Sequence, residues 1–406
     1  MHGRLLYLNR VDPFVGQPVV KVLTGLRRVG KSCLLRLIIG KLKAQGVPEG
    51  DILYIDKESL KHAEIATHLD LDQAAQTALL RCESGKLRLF VDEVQTISEW
   101  ELAIASLSQD RAFDIYISGS NAQLFSGELA TRLSGRFVEF RIYPLGFSEF
   151  LQFRGVSPDE RGREFVNFMR FGGFPGIHMF PLDEEVVFQY VGDIYNTVLL
   201  KDIVKRHNVR NVPLLERIAA FLFDNVGNVT TAGSISKFLK SQRVNVGVDT
   251  VQAYIGYFLE AMALYRAGRF DLKGRRHLEL FEKYYLGEVS LRHAIIGWRE
   301  ADISGILENI VYLELLRRGF KVEVGKMGDT EIDFVASGPG RKLYIQVAYL
   351  LADKATMERE ARPLRMVKDN YPKFILSMDT ALGSDLDGIR VMNLEEFLLS
   401  EILVGS

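Results

Sequence analysis

Gly25, four residues, then Gly30-Lys31-Ser32: this spacing suits the cradling of a polyphosphate. Glycines let backbone amides turn inward around phosphate oxygens, and a helix that begins there adds partial positive charge. Lys31 would reach the terminal phosphates and Ser32 would ligate Mg²⁺. Leu26, Arg27, Arg28, Val29 and Cys33 make up the rest of the cradle. Arg27 and Arg28 either touch phosphate or are solvated. A second acidic pair, Asp92-Glu93, closes the apolar run Leu87, Leu89, Phe90, Val91. Asp92 suits the Mg²⁺ shell, reached through water, and Glu93 suits the orientation or deprotonation of an attacking water. The chemistry is hydrolysis of ATP as its Mg²⁺ complex. Asn121 ends the run "FDIYISGSN" and either senses the γ-phosphate and that water or caps the next helix. Arg132 and Arg136 follow. Each either reaches a neighbour's γ-phosphate or makes an ordinary surface salt bridge, and Arg136 is preferred because Gly135 lets its backbone approach closely.

These groups converge only if strands and helices alternate. Val20 to Leu23 reads as a strand entering the loop, and Leu34, Leu35, Leu37 and Ile38 as the apolar side of the helix leaving it. "KLRLFVD" and "FDIYIS" are continuous apolar runs, as buried parallel strands require. "ILYIDKES" reads as a further core strand. The expected fold class is therefore α/β, a P-loop parallel-sheet domain at the N-terminal end.

"GLRRVGKS", "LFVDEVQ", "SGSNAQLFSGELATRLSGR", "YPLGFSEFL" and "FGGFPG" together resemble AAA+-related ATPases of bacteria and archaea. The C-terminal half of that family has long been described only as a domain of unknown function. The resemblance runs over essentially the whole chain. It implies an ATPase core over 1–155, a helical lid and linker over 156–210, an α+β winged-helix domain over 211–300, and a restriction-endonuclease-like α/β domain over 301–406. "FGGFPG" reads as a hinge between the halves, and the resemblance sets it near the nucleotide base. One subunit's arginine reaching another's site implies a homo-oligomer.

In the third region, three helical runs precede the hairpin "LYRAGRFDLKGRRHLELFEKYYLG". Its tip carries Arg266, Arg269, Lys273, Arg275 and Arg276 against Asp271 alone, a density suited to DNA phosphates. The same elements also serve as a protein-interaction or oligomerisation module. In the last region, "EIDFVASGPGRKLYIQVAY" reads as two strands about a Gly-Pro-Gly turn, with Glu331 and Asp333 on one face. In active nucleases of this fold a helix acid and two strand acids bind Mg²⁺, and a lysine positions water. Glu308 and Asp333 fit two of the acids, while Gln346 and Ala348 stand where the third acid and the lysine belong. A neutral amide is a poor Mg²⁺ ligand. The expectation is a degenerate PD-(D/E)xK site without hydrolysis.

The 406 residues carry a net charge of −1, so no global field draws the chain onto nucleic acid. Two cysteines, Cys33 and Cys82, cannot build a disulfide framework, which fits a reducing cytoplasm. No window reads as a membrane span. The leading expectation is an ATPase coupling nucleotide state to DNA binding or remodelling. The alternatives are a nucleotide-dependent regulatory scaffold that binds protein, and an active metal-dependent nuclease.

Overall fold

The computed structural model describes residues 3–121, 133, 135–274, 276–379 and 385–400, of which 158, 198, 199 and 276–281 are described by backbone alone. The chain divides into two compact units. One comprises Met1–Tyr143 with Glu260–Met262, the other Pro144–Leu259 with Ala263–Ser406. The first division therefore falls at residue 143, earlier than the expected 155.

In the first unit a five-stranded sheet runs β2-β3-β4-β1-β5. The strands are β1 (Val20–Thr24), β2 (Ile52–Asp56), β3 (Leu87–Asp92), β4 (Phe113–Gly119) and β5 (Phe137–Arg141). Every pairing is parallel. β1 and β4 are buried at every position, the mark of a sheet covered on both faces. β2 lies at the edge and is only half-buried, unlike the core strand its composition predicts. Helices Lys31–Ala44, His68–Leu79 and Trp100–Leu107 lie between strands in the chain. Ile104, Leu71 and Val91 belong to one buried cluster. The Thr67–Asp70 capping box starts the second helix.

In the second unit, helices Val212–Asp224, Ala232–Ser241 and Val248–Glu260 precede the hairpin, in the expected order. Within the region expected as a helical lid and linker, the segment 184–207 runs as α-helix Glu184–Asp193, a π-helical stretch Ile194–Leu200 and α-helix Lys201–His207. A nine-stranded sheet has the order β13-β14-β12-β11-β10-β9-β7-β8-β6. Its strands are β6 (Val229–Thr230), β7 (Leu264–Asp271), β8 (Arg276–Leu286), β9 (Lys321–Met327), β10 (Thr330–Gly338), β11 (Arg341–Val347), β12 (Lys373–Ser377), β13 (Asp385–Leu386) and β14 (Ile389–Asn393). β10 and β11 form the expected hairpin, with Gly338 opposite Arg341 and Gly340 at φ 71°. The basic hairpin β7–β8 joins the same sheet, because β7 pairs in parallel with β9. The boundary expected at 300 thus lies within one sheet. Among the described residues, no helix is long and apolar enough to cross a membrane.

Candidate functional site

In a parallel sheet the C-terminal strand ends share one edge. β1 ends at Thr24 and the phosphate-type loop begins at Gly25. A Cβ on Gly25 would lie 2.2 Å from the Ile142 carbonyl oxygen, so only glycine fits. Arg28 and Gly30 take left-handed conformations, φ 66° and 95°, and the turn ends in helix Lys31–Ala44. The buried Lys31 ammonium donates to the carbonyls of Gly25 at 3.1 Å and Leu26 at 3.2 Å, and lies 3.8 Å from Glu93. Burial holds its pKa below the ordinary lysine value, against the pull of Glu93 and Asp92.

Asp92 ends β3, and both its oxygens are held. Ser118 Oγ donates to Oδ1, and Tyr54 OH donates to Oδ2 at 3.0 Å. Ser118 Oγ also accepts from the Glu93 amide at 3.1 Å, which ties β3 to β4. Glu93 is left-handed, φ 55°. Its carboxylate accepts from Gln95 Nε2 and, at 3.2 Å, from Ser120 Oγ. Arg27 is 3.8 Å from that carboxylate and donates to Ser120 at 3.4 Å, so its described partners are side chains. Arg28 and Cys33 are exposed and Ser32 is half-buried. Asn121 is buried at the end of β4. The hard oxygens of Ser32 and Asp92, the loop glycines and Lys31 fit an ATP·Mg²⁺ complex. Tyr54, Gln95, Ser118 and Ser120 were not singled out from sequence. The two serines at least lie in the quoted sensor run.

Arg136 is exposed, next to the N-terminal end of β5, and its carbonyl accepts from the Val20 amide at 2.9 Å. β5 runs parallel to β1 with Phe137 opposite Val20. Arg141 lies opposite Thr24, so five strand steps of roughly 3.3 Å put Arg136 about 16 Å along the sheet from Thr24, at the edge opposite the loop. Arg132 lies outside the described residues.

The "FGGFPG" turn lies in the second unit. Gly172 has φ 71°, and a Cβ there would sit 1.8 Å from Glu288 Oε1. Gly173 N donates to both Glu288 oxygens at 3.0 Å, and Ser290 N donates to Oε1 at 3.1 Å. Burial pushes Glu288 up to about 7, against those donors.

Helix Ile303–Arg317 and strands β10 and β11 bring Glu308, Glu331, Asp333 and Gln346 together, around a side chain that the sequence did not indicate. Lys283 of β8 places its ammonium 2.7 Å from Glu331, 3.6 Å from Glu308 and 3.9 Å from Asp333. Burial alone would lower its pKa, but Glu308, Asp333 and Glu331 outweigh burial and raise it. Burial raises the pKa of Asp333 well above the ordinary value. Val347 N donates to Asp333 at 2.9 Å, and Gln346 Nε2 donates to Glu360 at 3.0 Å. Ala348 is buried.

The basic hairpin is opposed by more than Asp271. Arg266 pairs with Glu282 at 3.2 Å and Arg269 with Glu331 at 3.3 Å. Glu282 lies on β8 of the hairpin itself and Glu331 on β10, so a count of charge at the hairpin tip overlooks both. Lys273 is exposed. Arg275 lies outside the described residues, and Arg276 is described by backbone alone.

The chain matches the AAA domain family over residues 17–151 and a domain of unknown function over 162–302. An uncharacterized protein of Haemophilus influenzae is 35% identical over 401 residues, 98% of this chain and 99% of that one. An uncharacterized protein of Methanocaldococcus jannaschii is 29% identical over 86% of this chain and 79% of its own. Among solved structures, the Walker-type ATPase paby2304 of Pyrococcus abyssi superposes with a TM-score of 0.49 at 14% identity, over 71% of this chain and 93% of that one. With its loop, acidic strand end and parallel sheet in place, the chain belongs to the family of the Haemophilus influenzae protein, one whose N-terminal part here is an AAA-type P-loop ATPase domain.

Proposed function

We propose that the protein hydrolyses ATP in its first unit and uses the nucleotide state to change how its second unit engages DNA. The observation that carries the ATPase reading is the meeting of Lys31, Asp92 and Glu93 at one sheet edge, with Lys31 3.8 Å from Glu93. Lys31 neutralises phosphate charge in ground and transition states. Ser32 and Asp92 would hold Mg²⁺, which when bound would supply neutralisation of phosphate charge. Glu93, braced by Gln95 and Ser120, orients the attacking water. Arg136 stands at the opposite edge from its own loop, which supports action on a second subunit in a homo-oligomer.

DNA engagement rests on the helices of 212–260 with the β7–β8 hairpin, read as a winged helix with Lys273 at the tip. A second reading is a protein-binding scaffold. The pairing of Arg266 with Glu282 and of Arg269 with Glu331 favours it, because paired cations contribute less to phosphate contact.

The test measures ATP binding, turnover and duplex affinity on the same variants. Lys31→Ala should lose ATP binding. Glu93→Gln should bind ATP, turn over at least about a hundredfold more slowly, and hold the ATP-state DNA affinity. Turnover near wild type in Glu93→Gln removes Glu93 from catalysis. DNA affinity that is absent or indifferent to ATP moves the second unit to the scaffold reading and leaves the ATPase reading intact.

A further inference from the structure

The resemblance to nucleases implies a divalent metal at Glu308, Asp333 and the position of Gln346, and the geometry there does not fit one. Lys283 is 5% exposed, and its ammonium lies within 4 Å of three carboxylates. Among the described residues, no group of His, Cys, Asp and Glu side chains is arranged to hold a metal ion. The remaining bonds point the same way. Gln346 turns its amide to Glu360 at 3.0 Å, and its Oε1 accepts from the Asp333 amide at 3.3 Å, so the residue in the third-acid position is committed. Tyr285 OH donates to Glu308 at 3.2 Å. A Cβ on Gly227 would sit 3.0 Å from Glu308, so backbone closes over that carboxylate.

We propose that Lys283 is the resident cation of this cluster, holding the seat that a divalent metal takes in an active nuclease and bonding the basic hairpin to the nuclease-like strands. Three buried or half-buried carboxylates in one place repel each other and lose hydration, and a charge of opposite sign among them offsets both effects. The Lys283 ammonium meets that need from within the chain. It arrives on β8, two strands away from β9, and puts a cation into the cluster where Ala348 supplies none. The seat is filled, and phosphodiester hydrolysis, which needs a metal-held water, does not occur there.

The experiment compares Mn²⁺ binding, by electron paramagnetic resonance on the nucleotide-free full chain, in wild type, Asp333→Asn, Lys283→Met and Lys283→Met with Asp333→Asn. A site at the phosphate loop is insensitive to Asp333, so only Asp333-dependent binding is scored. Wild type should show none. Lys283→Met should bind Mn²⁺ roughly tenfold or more tightly than wild type, and lose it with Asp333→Asn. Asp333-dependent Mn²⁺ binding in wild type overturns the proposal, as does Lys283→Met that folds and gains none. So does wild-type cleavage of duplex DNA that vanishes in Asp333→Asn and in Lys283→Met, because Lys283 would then be a catalytic lysine. If Lys283→Met alone does not fold, adding Glu331→Gln removes the carboxylate charge nearest the lost ammonium. Recovery of folding in that pair supports the resident-cation role, and failure to recover opposes it.

Discussion

Asp92 and Glu93 are neighbours in the chain but are held by different partners. Two hydroxyls hold Asp92, while an amide and a hydroxyl hold Glu93. Glu288 has a different burden. It is buried, its carboxyl titrates at about 7 against an ordinary 4.5, and burial is the cause. An acid whose folded pKa is raised binds its proton more tightly when folded. The stabilisation is complete below 4.5 and is lost as pH rises through about 7. The full difference corresponds to about 3 kcal/mol. Denaturant unfolding of the wild type between about pH 5 and about pH 8 should show this decline, and Glu288→Gln should flatten it. Equal slopes in the two proteins would show that Glu288 stays ionised throughout. The phosphate loop and Asp92-Glu93 were legible because each is a local run with fixed spacing. Tyr54, Gln95 and Lys283 were not, because they reach their partners through the fold and leave no pattern in the chain. The reading of Gln346 and Ala348 named no cation for their cluster, and Lys283 reaches its carboxylates from β8.

At the scale of elements, the glycine turn at 171–176 is where sequence and structure give the most different pictures. Its composition suggests freedom of movement, but its glycines are there for close approach. Gly173 lies against Leu145 and Gly176 against Tyr190, where added Cβ atoms would come within 2.3 Å and 2.2 Å. Gly172→Ala forces a left-handed alanine onto the buried Glu288 carboxylate, and it should cost roughly 3 kcal/mol or more. Gly192→Ala, in helix Glu184–Asp193 with open space around it, should instead gain about 0.5–1 kcal/mol. Chemical denaturation of both variants checks the contrast, and equal effects would refute the packing account. The strands and helices themselves were legible from periodicity and capping residues. The π-helical stretch Ile194–Leu200 was not, since its composition matches that of the α-helices on either side.

At the scale of the molecule, Arg136 has a proposed action on a second subunit that can be tested by mixing chains. Its place at the far edge of the sheet predicts that Arg136→Ala keeps ATP affinity and loses turnover, and that the loss is complemented. Mixing Arg136→Ala with Lys31→Ala chains, each inactive alone, should restore part of the hydrolysis, because some sites then contain both groups intact. No recovery in assemblies shown to exchange subunits would confine the arginine to a structural role. The shared nine-stranded sheet has its own consequence for anyone dividing this protein. A chain ended at residue 300 keeps β7 but removes its partner β9, and the backbone groups of Arg269, Phe270 and Asp271 that pair with Val324, Gly325 and Lys326 become an open edge. The matching C-terminal piece opens β9 along the same line and loses Lys283 from among its carboxylates. Two raw edges invite self-pairing, so fragments severed there should be sticky partners for each other before they are independent domains.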